Sequence, residues 1–576
     1  MKKIKTTDGY EVYRIKKERN YLFLADQVHY EAEINRLINN LDGLTFDSLI
    51  FLFGLDTGAY LKKLKERLCA KNRVIIFEPN SSIIKRFPTD LGDNIFLVPC
   101  KKNMIKQIFH DTILFRNFDN IYFFAFGNYK TIYQKEYELL IENLDWSILN
   151  AASQVDLARR FKKVFIQNMT ANMNVINQST PIHRYLFSNV DVPAIVVSGG
   201  SSLDANIKDM VKYKDQLKNT FIITGSRTVD ALVRNGIMPD MIVSVDPIDA
   251  NYEMMKDHLN LNVPLAFYEY SNRYLLKDYQ GEKIFISLLF SHTIKGMEHL
   301  KGVYCGGSVA HACIDIANML GCSPILLVGQ DLAFTNQKHH ADSATFPYDN
   351  GVKYHAQIAV KDIYGKQTTT SVTLEHFRKN LEFYINRYKD VPRVKFINCS
   401  YGANIKGAPH KELSDLLKKL PGKGKKQSCT PSHELNLPAN ETIKGLLHFL
   451  DEFSLKSRQC MELCVIIRRE QHQKSLVDVE EDDLDLQRIL YILQTVNIFE
   501  NHPYSRLLGG YFHEFLFDMK DKNGAMPAKE YENLTSDLQY QAEFFNKYFK
   551  QLEALLTEVK ETVLLTVSEF YPTHIV

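Results

Sequence analysis

No single sign of charge dominates this sequence. Lysine and arginine number 70 and aspartate and glutamate 68, a formal net charge of +2. No global field therefore draws the chain onto nucleic acid or a membrane surface, although GKGKK at 422–426 is a local basic patch. Long apolar runs are missing too: nothing approaches the ~18 residues of a membrane span. The opening MKKIKTTDGYEVYRIKKERN is basic but has no apolar stretch, so it does not read as a signal peptide. The nine cysteines show no regular spacing, and Cys460 and Cys464 have no companion pair nearby. That argues against a four-cysteine zinc site and for reduced thiols in a cytoplasm. Also lacking are a GK[ST] phosphate loop, a full GxGxxG fingerprint and, in the central region, a DxD motif.

What is there is ordinary globular material, 45% hydrophobic and 24% charged, in a chain of 576 residues. That length is too great for one core, so two to four domains are expected. Short apolar runs alternate with helical patterns. In the first part these are LIFLF (49–53), RVIIFEPN (73–80), NIFLVP, IYFFAF and KVFIQN. The middle continues with AIVVS (194–198), FIITG (221–225), MIVSV (241–245), PLAFY (264–268), KIFISLL (283–289), PILLVG (324–329) and VKFIN (394–398). Such alternation predicts α/β domains with mostly parallel sheets. The reading is an N-terminal Rossmann-like domain over 1–180, a central doubly wound domain over 181–420, a glycine-, proline- and lysine-rich linker over 421–440, and a helical domain over 441–576.

Polar loops sit where the central strands end. SGGSSLD follows AIVVS: Gly199 and Gly200 permit close backbone approach, and Ser201 and Ser202 can start a helix whose amides attract an anion. The alternative is a structural turn. FIITG runs into Gly225 and Ser226, and YCGGSVAHA places Gly306, Gly307 and Ser308 before a small-residue helix. Asp246 ends MIVSV and suits a hydroxyl-bearing ligand, a helix cap or, with Asp249, a metal. Gln330 and Asp331 end PILLVG, and His339 and His340 follow in a polar stretch where an imidazole can serve as general base or simply face solvent. Ser400 and Asn404 lie in a further strand-end loop, NCSYGANIKG. In an open α/β sheet, loops at the carboxyl ends of strands line the ligand crevice.

Taken together, SGGSSLDANI (198–207), ITGSRTVDALVRNGIMPDMIVSVDP (223–247), CGGSVAHACIDIANMLGCSPILLVGQDLAF (305–334) and NCSYGANIKGA (398–408) resemble the motility-associated factor (Maf) flagellin glycosyltransferases. The resemblance covers most of the chain, FGLDTGAYLKKL near the N-terminus included. It implies transfer of a nonulosonic acid, pseudaminic or legionaminic, from a CMP-activated donor to serine or threonine of flagellin. The central domain is similar to bacterial sialyltransferases. There the glycine-serine turn, here Gly199 to Ser202, contacts the nucleotide, GGSVAHA matches the second nucleotide turn, and the general base falls near His339 or His340. The resemblance implies no tightly bound cofactor and no strict metal requirement. FGLDTGAYLKKL, with FEP further on, also resembles the start of a cofactor-binding βαβ unit, which would put Glu78 where a ribose-binding acid stands, although the N-terminal domain reads as non-catalytic, placing flagellin or assembling the enzyme.

Two other readings stand beside this one. The central region also resembles the archaeal MptE-like pterin pyrophosphokinases, which implies ATP and Mg²⁺ with Asp246 and Asp249 as metal ligands. A flagellin chaperone or scaffold with a vestigial crevice is the non-enzymatic alternative. The sequence sets no oligomeric state.

Overall fold

The computed structural model describes residues 1–17, 19–92, 94–349, 357–420, 435, 437–469, 475, 483–522 and 526–571. Most of the expected 421–440 linker, with the basic patch at 422–426, lies outside them. The chain divides into two compact units: residues 1–160, 451–505 and 509–557 form one, and residues 161–450, 506–508 and 558–576 the other.

The first unit holds a parallel sheet in the order Ile95–Pro99, Arg73–Glu78, Leu49–Phe53, Ile121–Ala125. Leu49–Phe53 is apolar at every position because it is buried throughout, as a central parallel strand must be. The Lys102–Thr112 helix packs on the sheet through Ile105 and Phe109, four residues apart and so on one face. Phe109 meets Phe51 edge-on, with ring centroids 4.9 Å apart. Lys2–Lys5, Glu11–Lys17 and Asn20–Phe23 add an antiparallel meander.

Glu78 belongs to this unit's interior. The resemblance would put it on a ribose; the structure seals it at 0% exposure. Its carboxylate accepts hydrogen bonds from the amides of Leu55 (2.9 Å) and Asn80 (2.8 Å) and from the Tyr129 hydroxyl (2.8 Å). Asp56, equally buried, accepts from the Tyr13 amide (2.9 Å) and the Tyr30 hydroxyl (2.8 Å), while its own amide donates to Tyr129 Oη (2.8 Å). Two carboxylates thus stitch the strand-end loops together, and both are sealed from solvent.

The second unit is built on a parallel sheet whose order is Phe396–Asn398, Ile325–Val328, Ala194–Val197, Phe221–Gly225, Met241–Ser244, Leu265–Phe267, Lys283–Phe285, Thr180–Pro181. From Ala194–Val197 the chain adds four successive strands on one side. It then returns to lay Ile325–Val328 on the other. The order therefore reverses between these two strands, which run in register from Ile325 opposite Ala194 to Val328 opposite Val197. The crossover helix Val309–Met319 is buried along almost its whole length, and its Ala310, Ala312 and Ala317 let it lie close on the sheet.

The expected α/β architecture with parallel sheets is present. KVFIQN is a correction: it lies inside the 44-residue helix Gln134–Asn177. A short apolar run has no period of its own, and no glycine or proline bounds this one. KIFISLL is strand only to Phe285. Beyond it the buried Glu269 carboxylate accepts from the amides of Leu288, Leu289 and Phe290 and pulls the chain out of the sheet.

Candidate functional site: a crevice at the strand switch

Where strand order reverses, the loops after the two strands diverge and leave a crevice between them. Ala194–Val197 feeds Ser198, Gly199 and Gly200 into one wall, and Ile325–Val328 feeds Gly329, Gln330 and Asp331 into the other. The two loops touch backbone to backbone: the Gly200 amide donates to Gly329 O at 2.7 Å. A side chain at 200 would strike Asp331, and one at 329, where φ is +64°, would reach 2.0 Å from Ser198 O. These glycines are required by contact between loops. Ser198 Oγ donates to Gln330 Oε1 (2.7 Å), tying the walls together once more.

The crevice, of about 200 Å³, gathers Gly199, Gly200, Gly225, Ser226, Asp246, Ser308, Gln330, Asp331, His339 and His340 from the expected site residues. Six others lie elsewhere. Ser202 is buried on the far side of its turn, where its amide (3.0 Å) and hydroxyl (2.7 Å) both donate to Asp331 Oδ2. Ser201 donates to Lys338 O (2.8 Å). Both serines line a second, separate cavity with Phe334, Asp362, Tyr364 and Tyr401. Gly306 and Gly307, at φ +47° and +86°, shape the turn that delivers Ser308 and pack on His311 and Phe377. Ser400 is buried, accepting from the Gln330 amide (2.6 Å), and Asn404 is exposed with its amide donated to Lys361 O (2.9 Å).

The anion position of the glycine-serine turn is thus filled from within. Asp331 also accepts from Thr335 Oγ1 (2.8 Å). Burial pushes its carboxyl up, and the Ser202 and Thr335 hydrogen bonds oppose that.

Arg227 and Thr228 line the crevice without having been singled out in the sequence. Arg227 lies in the first turn of the Ser226–Arg234 helix, where the macrodipole disfavours a cation. That misplacement was the available signal. Its guanidinium is held by Asp349 (2.7 and 3.3 Å) and Ala344 O (3.1 Å).

His340 Nδ1 lies 3.2 Å from Gly199 O. A carbonyl can only accept, so Nδ1 carries the proton and Nε2 keeps its lone pair. Burial, then the Arg227 charge, lowers the His340 pKa; burial, with His340 and Arg227, lowers that of His339 to about 4. Both rings are neutral near pH 7. Asp246 is solvent-reachable, yet the protein packed around it raises its carboxyl, with Arg227 opposing. Its carboxylate has no hydrogen-bond or ion-pair partner among the described residues. Asp249 instead accepts from Asn272 Nδ2 (3.0 Å). Among the described residues no cluster of three or more histidine, cysteine or acidic side chains has the arrangement of a metal site, and no helix is long and apolar enough to cross a membrane.

Fold and site together define a doubly wound α/β protein with a polar, strand-end crevice and a neutral imidazole beside it. Residues 164–337 match the family model described as 6-hydroxymethylpterin diphosphokinase MptE-like. The match takes in both crevice strands and stops just short of His339. Among solved structures, the chain is similar in fold to a Maf glycosyltransferase from Magnetospirillum magneticum AMB-1, with a TM-score of 0.55 and 14% identity, over 100% of this chain and 93% of that one. Comparison with curated protein sequences finds no match.

Proposed function

We propose that this chain is a glycosyltransferase that moves a nonulosonic acid, pseudaminic or legionaminic, from its CMP-activated form to a serine or threonine hydroxyl of flagellin in the cytoplasm. The observation that carries the reading is a neutral, oriented histidine at a switch-point crevice, in a chain whose whole length follows the fold of a Maf glycosyltransferase.

In this reading the acceptor oxygen attacks the anomeric carbon as the bond from that carbon to the CMP phosphate oxygen breaks. The bonding pair leaves with CMP, the acceptor proton passes to His340 Nε2, and configuration inverts. His340 fits the base role better than His339, because the Gly199 carbonyl fixes its tautomer. Asp246 is suited to accept from donor hydroxyls. The test is incubation of the full chain with flagellin and each CMP-nonulosonate, read by intact-protein mass. A mass increase of one sugar, absent in His340→Ala, is expected; no increase with either donor overturns the reading.

The MptE-like match to residues 164–337 favours a second reading, diphosphate transfer from ATP to a hydroxymethylpterin. Its test is AMP release from ATP and Mg²⁺ in the presence of the pterin.

A further inference from the structure

A donor phosphate in the crevice needs a seat, and at the glycine-serine turn the Gly200 and Ser202 amides and both serine hydroxyls are already taken. The Ser202 amide and hydroxyl already hold the Asp331 carboxylate. A phosphate there would have to displace a buried carboxylate or lie against it.

One strand over, the chemistry is open. The Phe221–Gly225 strand ends at the crevice and turns directly into the nine-residue helix Ser226–Arg234. Its N-cap is Gly225, which has no side chain to accept from the first-turn amides. Glycine is held there by packing, since a Cβ would lie 2.9 Å from Val309. The helix therefore presents an uncapped N-terminus to the cavity, where backbone N–H groups and the dipole favour negative charge.

A second observation is independent of the helix. Ser226 is 5% exposed and lines the crevice, and its Oγ has no hydrogen-bond partner among the described residues. A buried hydroxyl left unpaired is costly and rare, and a ligand oxygen at the crevice supplies the missing partner. A third observation is the guanidinium of Arg227 beside it, which already draws an anionic group, the Asp349 carboxylate, to this wall.

We propose that Ser226 Oγ, the first-turn amides of the Ser226–Arg234 helix and the Arg227 guanidinium form the phosphate subsite of the crevice, and that the Gly199–Ser202 turn does not. The proposal rests on the reading that the crevice takes a nucleotide. It assigns the phosphate to one wall and leaves Asp246, at the end of the adjoining strand, to hydroxyl groups.

The experiment is titration of the full chain with inorganic phosphate and with CMP. It is read by hydrogen exchange of the amides at 226–229 and at 199–202, in the wild type and in Ser226→Ala, Arg227→Gln and Ser202→Ala. Both ligands are expected to slow exchange at 226–229. Ser226→Ala and Arg227→Gln each weaken them by about tenfold or more, while Ser202→Ala leaves CMP affinity within about threefold. Protection of 226–229 by phosphate, with CMP no tighter, supports the subsite and overturns the nucleotide reading. CMP binding that protects 199–202 and ignores Ser226→Ala and Arg227→Gln overturns the subsite and leaves the nucleotide reading standing. No effect of either ligand overturns both.

Discussion

At the scale of single residues, the crevice histidines lose their charge to burial and to one cation. His340 acts, in the proposed reaction, only when deprotonated. Its pKa is held below 6.5 by burial and by Arg227, so the acid limb of the rate profile is expected below that value. Removing the imidazole in His340→Ala should cost roughly 10²- to 10⁴-fold in rate and abolish the limb. Arg227→Gln removes a neighbouring positive charge and leaves Asp349 without that cation; both changes raise the His340 pKa, and the limb moves to higher pH. Rates measured from acid to neutral pH check this, and an unmoved limb assigns it to another group. In the other unit the sign runs the opposite way. Burial raises Glu78 from 4.5 to about 7, so the folded form holds its proton more tightly than the unfolded chain does. The stabilisation is complete below the unfolded value and is lost as pH rises through about 7. Denaturant unfolding of the first unit should therefore show a lower midpoint at about pH 8 than at about pH 5.5. Tyr129→Phe, which removes a donor to Glu78 and the acceptor for the Asp56 amide, should lower stability at both by roughly 1–3 kcal/mol.

At the scale of elements, contact between two loops sets the crevice, and glycine is where that contact is felt. Gly329→Ala must accommodate both a positive φ and a backbone oxygen at 2.0 Å, and it should unfold the second unit or cost several kcal/mol, about 4 or more. Gly296→Ala, also at positive φ but with nothing within 4 Å, should cost only about 1 kcal/mol; thermal melting of the two variants separates backbone strain from loop collision. This pairing also marks how far the sequence could be read. Strands buried on both faces announce themselves, as LIFLF and PILLVG do. The loops at their ends are recognisable as polar and glycine-rich. What local pattern cannot carry is which loop meets which. Asp331 reaches Ser202 across 129 residues, so a turn that looks open in sequence is filled in three dimensions. Arg227 left a local trace, a cation in a helix's first turn. KVFIQN left none, because three apolar residues between polar ones suit one face of a long helix as well as a strand.

At the scale of the whole molecule, three of the unit boundaries fall inside long helices, at 160, 450 and 557 within Gln134–Asn177, Ala439–Arg469 and Leu538–Phe570. Helical periodicity identifies such segments but says nothing of which core each half joins, so the 441–576 stretch, read in sequence as one helical domain, contributes to both units. The crevice draws its lining wholly from the second unit, and linkage turns this into a measurable asymmetry. A ligand that binds only the folded second unit, at ~100 times its Kd, stabilises that unit by about 2.7 kcal/mol. If the two units open independently, CMP should slow hydrogen exchange in 194–202, 221–229 and 325–340, while amides of 49–56 and 73–78 exchange at their unliganded rate. Equal slowing in both sets would mean that the units open as one cooperative body, because a ligand confined to one crevice can protect distant amides only through a shared opening reaction. Tyr129→Phe then decides between the cases. Where opening is shared, destabilising the first unit must also speed exchange around the crevice. Where it is not, the crevice amides are untouched, and the second unit owes its stability to its own sheet.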